Sequence, residues 1–183
     1  PYTTLFRSEI PVRKIEIITD TLSFDKDNRE RTFKIKALPE NSTYKNDIVY
    51  RVTTALGIDT NLAEITDSTP ESVTVNCKGD GEFYLRALCK NGKDKYSILS
   101  AVKLTAQGLG QASFDPYEFI IGGLYSRRGG GIGNGVERGA SFSRDFSLAA
   151  FDNVDFGKLG SDTVMVPIYM NCTTPIRIKF YDG

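Results

Sequence analysis

The 183-residue chain contains no histidine and no tryptophan, only two methionines, and three cysteines. Without histidine it cannot assemble a Ser-His-Asp or Cys-His catalytic set, and it lacks the commonest zinc and non-haem iron ligand. Catalysis by paired carboxylates stays open, because it needs no imidazole. The missing tryptophan takes away the largest aromatic platform for a sugar ring. Cys77, Cys89 and Cys172 form no Cys-x-x-Cys pair and no metal-ligand spacing. Cys77 and Cys89 fall at opposite levels of consecutive strands, roughly 20 Å apart at ~3.3 Å per residue. A disulfide needs its Cα atoms within about 7 Å, so three free, mostly buried thiols are expected. An excess of either charge is absent too. Lys plus Arg and Asp plus Glu each number 23, which gives no electrostatic reason to expect nucleic acid or an anionic membrane as partner. No apolar run approaches the ~20 residues of a bilayer span, and the N-terminus lacks a signal peptide's basic-then-apolar layout.

What is present is ordinary for a globular protein: 40% hydrophobic and 25% charged residues, enough for one large domain or two small ones. The two ends stand out. Residues Pro1 to Ser8, Pro-Tyr-Thr-Thr-Leu-Phe-Arg-Ser, match the translation of a common short-read sequencing adapter and are set aside as a scar (1–8). Ile178 to Gly183 stops where a strand is turning, so the chain reads as a piece of a longer frame.

From Val12 onward, short alternating segments are broken by turn clusters at roughly 8–12-residue spacing, the pattern of an antiparallel sandwich. Val12–Ile17 alternates, as does Thr32–Ala37, with Phe33, Ile35 and Ala37 on one face. Leu38–Thr43 is a loop, because proline cannot donate to a ladder. Asp47–Thr54, Leu62–Thr66, Ser72–Cys77, Glu82–Cys89 and Tyr96–Thr105 complete the series, with Asn91-Gly92 as a hairpin signal. Seven or so strands in about 95 residues, with no helical period, predict an immunoglobulin-like β-sandwich over 9–106. Gln107–Gly110 reads as a linker. Beyond it a glycine-rich stretch, Gly129–Gly135, precedes strand-like segments at Ala140–Phe146, Ala150–Phe156, Thr163–Tyr169 and Pro175–Phe180. That is half of a jelly roll, and the fold class is all-β throughout.

Candidate chemistry is sparse. The glycine cluster lacks the Gly-Lys-Ser/Thr ending of a P-loop and the strand–turn–helix setting of a dinucleotide fingerprint, so it reads as a flexible loop. Asp145, Asp152, Asp155 and Asp162 do not have EF-hand spacing, and each lies beside a turn that aspartate stabilises. Asn41-Ser42-Thr43 and Asn171-Cys172-Thr173 match the N-glycosylation pattern, but so short a pattern arises often by chance and is assigned no function. Tyr84, pointing outward by strand parity, and Tyr117, Tyr125, Tyr169 and Tyr181 could offer ring faces to a pyranose, but edge-packing or interdomain roles are the more ordinary reading.

Certain motifs carry a resemblance. Gly79-Asp80-Gly81-Glu82 followed by Phe83-Tyr84-Leu85-Arg86-Ala87 and Asn91-Gly92 resembles the immunoglobulin-like domain in the C-terminal region of long glycoside hydrolase family 2 enzymes of the β-galactosidase kind. Asp115-Pro116-Tyr117-Glu118-Phe119, Gly123-Leu124-Tyr125 and Asn134–Gly139 resemble the segment that follows it there. Phe151–Gly157 and Gly160-Ser161-Asp162 through Pro167-Ile168 are similar to the first half of a module like carbohydrate-binding module family 6. The resemblance runs from about Ile10 to Gly183 and makes 107–183 a partial carbohydrate-binding-module-like jelly roll. It implies a non-catalytic accessory fragment of a bacterial glycoside hydrolase, a spacer or docking piece whose partner is the parent's catalytic barrel, with weak glycan contact. The family's catalytic glutamates lie on an upstream barrel that nothing here matches. No catalytic, cofactor-binding or metal residue is therefore assigned, although a complete second module would have room for a structural calcium. The missing strands predict a segment of about 115–183 that is poorly stable or aggregation-prone alone. The alternative is an immunoglobulin-like module of a bacterial surface or adhesin protein. An upstream barrel with paired glutamates favours the first reading, whereas tandem repeats and a wall-anchor signal favour the second.

Overall fold

A computed structural model of the chain describes residues 9–134, 138–170 and 173–181; the octapeptide 1–8 lies outside them. The fold is all-β, with no α-helix among the described residues. Eight strands form two four-stranded sheets: β1 (Lys14–Ile18), β2 (Ser23–Phe24), β3 (Glu30–Leu38), β4 (Ile48–Thr53), β5 (Ala63–Thr69), β6 (Ser72–Cys77), β7 (Gly81–Cys89) and β8 (Ile98–Ala106). One sheet has the order β1-β3-β6-β5 and the other β2-β8-β7-β4. Every pairing is antiparallel except the short parallel contact of β2 with β8.

The core follows from the period of two, which puts alternate side chains on one face of each strand. Phe33 of β3 and Val73 and Val75 of β6 are fully buried, facing Phe83 and Leu85 of β7 and Leu104 of β8. Phe24 joins the two sheets. Its ring lies 6.3 Å from that of Phe33 and 5.9 Å from that of Phe83, and burial of such a ring is worth about 2–3 kcal/mol. Cys77 and Cys89 are free and buried, as expected; Cys172 lies outside the described residues.

Asn91 and Gly92 do adopt left-handed backbone (φ 53° and 70°), but the connection is longer than a two-residue hairpin, since β7 ends at Cys89 and β8 starts at Ile98. The Asn91 side chain accepts from the Val12 amide and donates to the Val12 carbonyl, both at 2.8 Å. It therefore ties the loop down beside β1.

After β8 the expectations need correction. The glycine-rich stretch is not simply a loop. β9 (Arg127–Gly129) pairs with β12 (Leu148–Ala150), and β10 (Ile132–Asn134) pairs with β11 (Ala140–Phe142), so two short ladders nest in one interrupted hairpin. Gly130-Gly131 on one arm faces Ser143–Ser147 on the other, and the Ser143 amide donates to the Gly131 carbonyl at 2.8 Å. Glycine is required here, because a Cβ on Gly130 would lie 2.9 Å from Ser147 Cα, at a φ of 70°. The expected strand Ala140–Phe146 therefore stops at Phe142, and Ala150–Phe156 keeps only Ala150 plus an isolated parallel bridge from Val154 to Phe114. Thr163–Tyr169 and Pro175–Phe180 are not strands. Alternation specifies a face, but a ladder needs a neighbour to take its N–H and C=O groups, and among the described residues none runs alongside.

Candidate functional site

The turn between β6 and β7 is where the chain beyond β8 returns to the sandwich. Asp80 accepts from the backbone amides of Leu109 (2.8 Å) and Gly110 (3.2 Å), while its own amide donates to the Gly110 carbonyl at 2.7 Å. Gly79 allows the next residues to come close, since a Cβ there would lie 2.4 Å from the Ala112 amide nitrogen. Ala112 and Phe114 are buried as a result. The supposed linker Gln107–Gly110 is thus hydrogen-bonded to the sandwich rather than loose.

Beside this junction lies an open cleft of about 520 Å³. The sandwich contributes Arg29, Asn76 and Lys78, and the returning chain contributes Phe114, Asp115, Tyr117 and Asp155. Backbone bonds from the Phe114 amide to the Asn153 carbonyl (2.8 Å) and from the Asp155 amide to the Phe114 carbonyl (3.0 Å) hold the two acidic residues on adjacent chains. Each carboxylate spends one oxygen on its own turn: Asp115 Oδ1 accepts from the Tyr117 amide at 2.9 Å, and Asp155 Oδ1 from the Gly157 amide at 2.8 Å. The Tyr117 hydroxyl donates towards the carbonyls of Phe156 (3.1 Å) and Gly160 (2.8 Å). This anchors one end of a ring that is 64% exposed. Phe114, which also lines the cleft, is edge-on to Phe151 with centroids 6.0 Å apart.

A second polar cluster centres on Asp59, whose side chain is 5% exposed. It accepts from Arg51 Nε (3.1 Å) and Nη2 (2.9 Å) through Oδ1, and from Arg138 Nε (2.5 Å) through Oδ2. Arg51 and Arg86 face each other on β4 and β7. Like charges in that position repel, and the fold separates their duties. Arg51 takes Asp59, whereas Arg86 donates to Thr53 Oγ1 (2.8 Å) and to the Ala55 carbonyl (3.0 Å). The arrangement is a structural clasp, with its ionic groups turned towards one another.

The four aspartates singled out from the sequence do not converge. Asp152 pairs with Arg127 at 2.7 Å, Asp155 lines the cleft, Asp162 accepts from the Thr163 hydroxyl at 3.0 Å, and Asp145 is exposed in a turn. Among the described residues no three potential ligands gather to hold a metal ion. Of the tyrosines, Tyr117 belongs to the cleft and Tyr84 lies under the Arg86 guanidinium, 5.7 Å from it. Tyr169 and Tyr181 are exposed, and Tyr125 is half-buried. Asn41 is exposed, while Asn171 lies outside the described residues. Sequence reasoning missed Asp59 and the contribution of Arg29, Asn76 and Lys78, because only tertiary contacts bring those positions together.

No protein-family model matches the chain, and no curated protein matches it.

Proposed function

We propose that the chain is a non-catalytic accessory region of a bacterial, β-galactosidase-like glycoside hydrolase, acting as a spacer and docking brace for the parent's catalytic barrel, with weak glycan contact. The observation that carries this reading is the hydrogen-bonded junction: Asp80 and the close approach at Gly79 couple the sandwich to the chain that follows. A brace transmits position only if its parts do not swing freely, and a coupled junction meets that need. The strand orders β1-β3-β6-β5 and β2-β8-β7-β4 support an immunoglobulin-like sandwich for 9–106. The nested ladders β9–β12 and β10–β11 are in keeping with part of a jelly-roll-like module in 107–183.

The test is the reading frame upstream of Glu9. A barrel with two catalytic glutamates, in a parent whose kcat survives deletion of residues 9–183 while its thermal inactivation comes earlier, is the expected result. A frame that instead carries further immunoglobulin-like repeats and a surface anchor moves the function to adhesion. Turnover of a chromogenic galactoside by this chain alone overturns the non-catalytic reading.

A further inference from the structure

The cleft between the sandwich and the returning chain has a composition that selects among ligands. We infer that it is a carbohydrate-binding site for a neutral oligosaccharide, built from both parts of the chain; this rests on the accessory-region reading and gives its glycan contact a location. Its volume, about 520 Å³, falls within the ~300–1,000 Å³ usual for small-molecule sites. The wall charges are mixed, with Arg29 and Lys78 against Asp115 and Asp155. Counting Glu64, which pairs with Lys78 at 2.5 Å, one negative charge is in excess, so an anion is not favoured and a cation is the charged competitor to exclude.

A neutral polyol is what this donor and acceptor set fits. Asp115 and Asp155 each keep their second carboxylate oxygen without a partner among the described residues, while the first is fixed in a turn. An oriented carboxylate accepts from hydroxyl groups in short, charge-assisted bonds. The Arg29 guanidinium is exposed and has no ion pair among the described residues, which leaves fork donors for hydroxyl oxygens. Tyr117 supplies an exposed apolar ring whose far end is held by two carbonyls, so little side-chain freedom is lost when a pyranose C–H face rests on it. Because residues from both sides of the junction line the cleft, its shape depends on the Asp80 contacts, and binding would in turn reinforce the coupling.

The experiment titrates the full chain with lactose, cellobiose and maltose, with phosphate and calcium chloride as charged controls, following chemical shifts by NMR. The expected result is saturable millimolar binding of at least one disaccharide, with shifts centred on Tyr117, Asp115 and Asn76. The double variant D115N/D155N retains an acceptor oxygen for each turn but removes the charge, and Tyr117→Ala removes the ring; each should weaken binding about tenfold. Asp145→Asn, away from the cleft, should leave it unchanged. No saturable shift with any sugar in a folded chain overturns the inference. So does binding of phosphate that Arg29→Gln abolishes, or of calcium that D115N/D155N abolishes, because either marks an ion site instead. Failure here leaves the accessory reading to the upstream frame, and an unexpected frame leaves a measured sugar affinity untouched.

Discussion

Asp59 and Arg138 stand 79 positions apart in the chain and meet at 2.5 Å, with Arg51 completing the clasp on the other carboxylate oxygen. The pair fastens the end of the β10–β11 region to the loop after β4. Asp59 is almost fully buried whereas Arg138 is nearly half exposed, so the cost of losing either partner is unequal. Asp59→Ala leaves Arg51 and Arg138 facing each other and should cost about 2 kcal/mol, between the values for exposed and buried pairs. Arg138→Gln should cost about 1 kcal/mol or less. Urea unfolding of both variants checks this, and equal midpoints for Asp59→Ala and the parent chain would refute the clasp.

Two glycine substitutions separate close approach from conformational freedom. Gly79→Ala drives a Cβ to within 2.4 Å of backbone at Ala112 and should destabilise by about 1–3 kcal/mol. Gly133 has nothing within 4 Å of the added carbon, so Gly133→Ala should be neutral or stabilising by up to about 1 kcal/mol. The sign of the difference between their denaturation midpoints is the readout.

Burial pushes the Cys77 thiol from its ordinary 9.0 to about 12, and burial likewise raises Cys89. The folded state thus holds a proton that the unfolded chain releases from about pH 9 upward. Stability from Cys77 is fully present below pH 9 and is lost progressively as pH rises towards 12. Tyr50, raised from 10.0 to about 12 by burial, adds to the loss above pH 10. In a Cys172→Ser chain, neither remaining thiol should react with a thiol reagent at pH 8 until denaturant is added. Rapid labelling of the native chain would contradict this.

Asn91 has two separable duties, a left-handed backbone and a side-chain tether to Val12. Asn91→Gly keeps the first and loses the second, so it should cost about 1–2 kcal/mol. Asn91→Ala loses both and should cost roughly 1 kcal/mol more. If the two variants unfold together, backbone strain contributes nothing at this position.

Residues 157–170 are exposed and carry no ladder, Met165 and Tyr169 among them. Their amides should exchange at rates close to those of an unfolded peptide, and limited proteolysis should cut there before it reaches β7. An isolated 107–183 piece, cut off from the Asp80 and Asp59 contacts, should scatter light on heating. A clean cooperative melt of that piece would show that it holds a core of its own.

Much of the sandwich was legible because a half-buried strand writes its own signature. Alternation alone delimits Ser72–Cys77 to the residue and gives the inward set Phe83, Leu85, Ala87 and Cys89, all buried in the fold. Past Gly110 the same signature misled. Thr163–Tyr169 alternates without pairing, and the glycine-rich stretch Gly129–Gly135 reads as a flexible loop from its sequence, although the close packing of an interrupted hairpin calls for glycine at Gly130.

The sequence by itself determined the absence of imidazole chemistry, the balance of charge, the all-β class and the inward face of each main strand, since these depend on composition and on a two-residue period. Only the tertiary structure decided which strands neighbour one another, that Phe24, placed in one sheet by the parallel contact of β2 with β8, packs its ring against Phe33 of the other, and that Asp59 pairs with arginines on both sides of the junction. The physical reason is that hydrophobic alternation fixes the face of a strand but not its partner. Pairing across tens of residues is settled by long-range packing and hydrogen bonding, which leave no local mark in the chain.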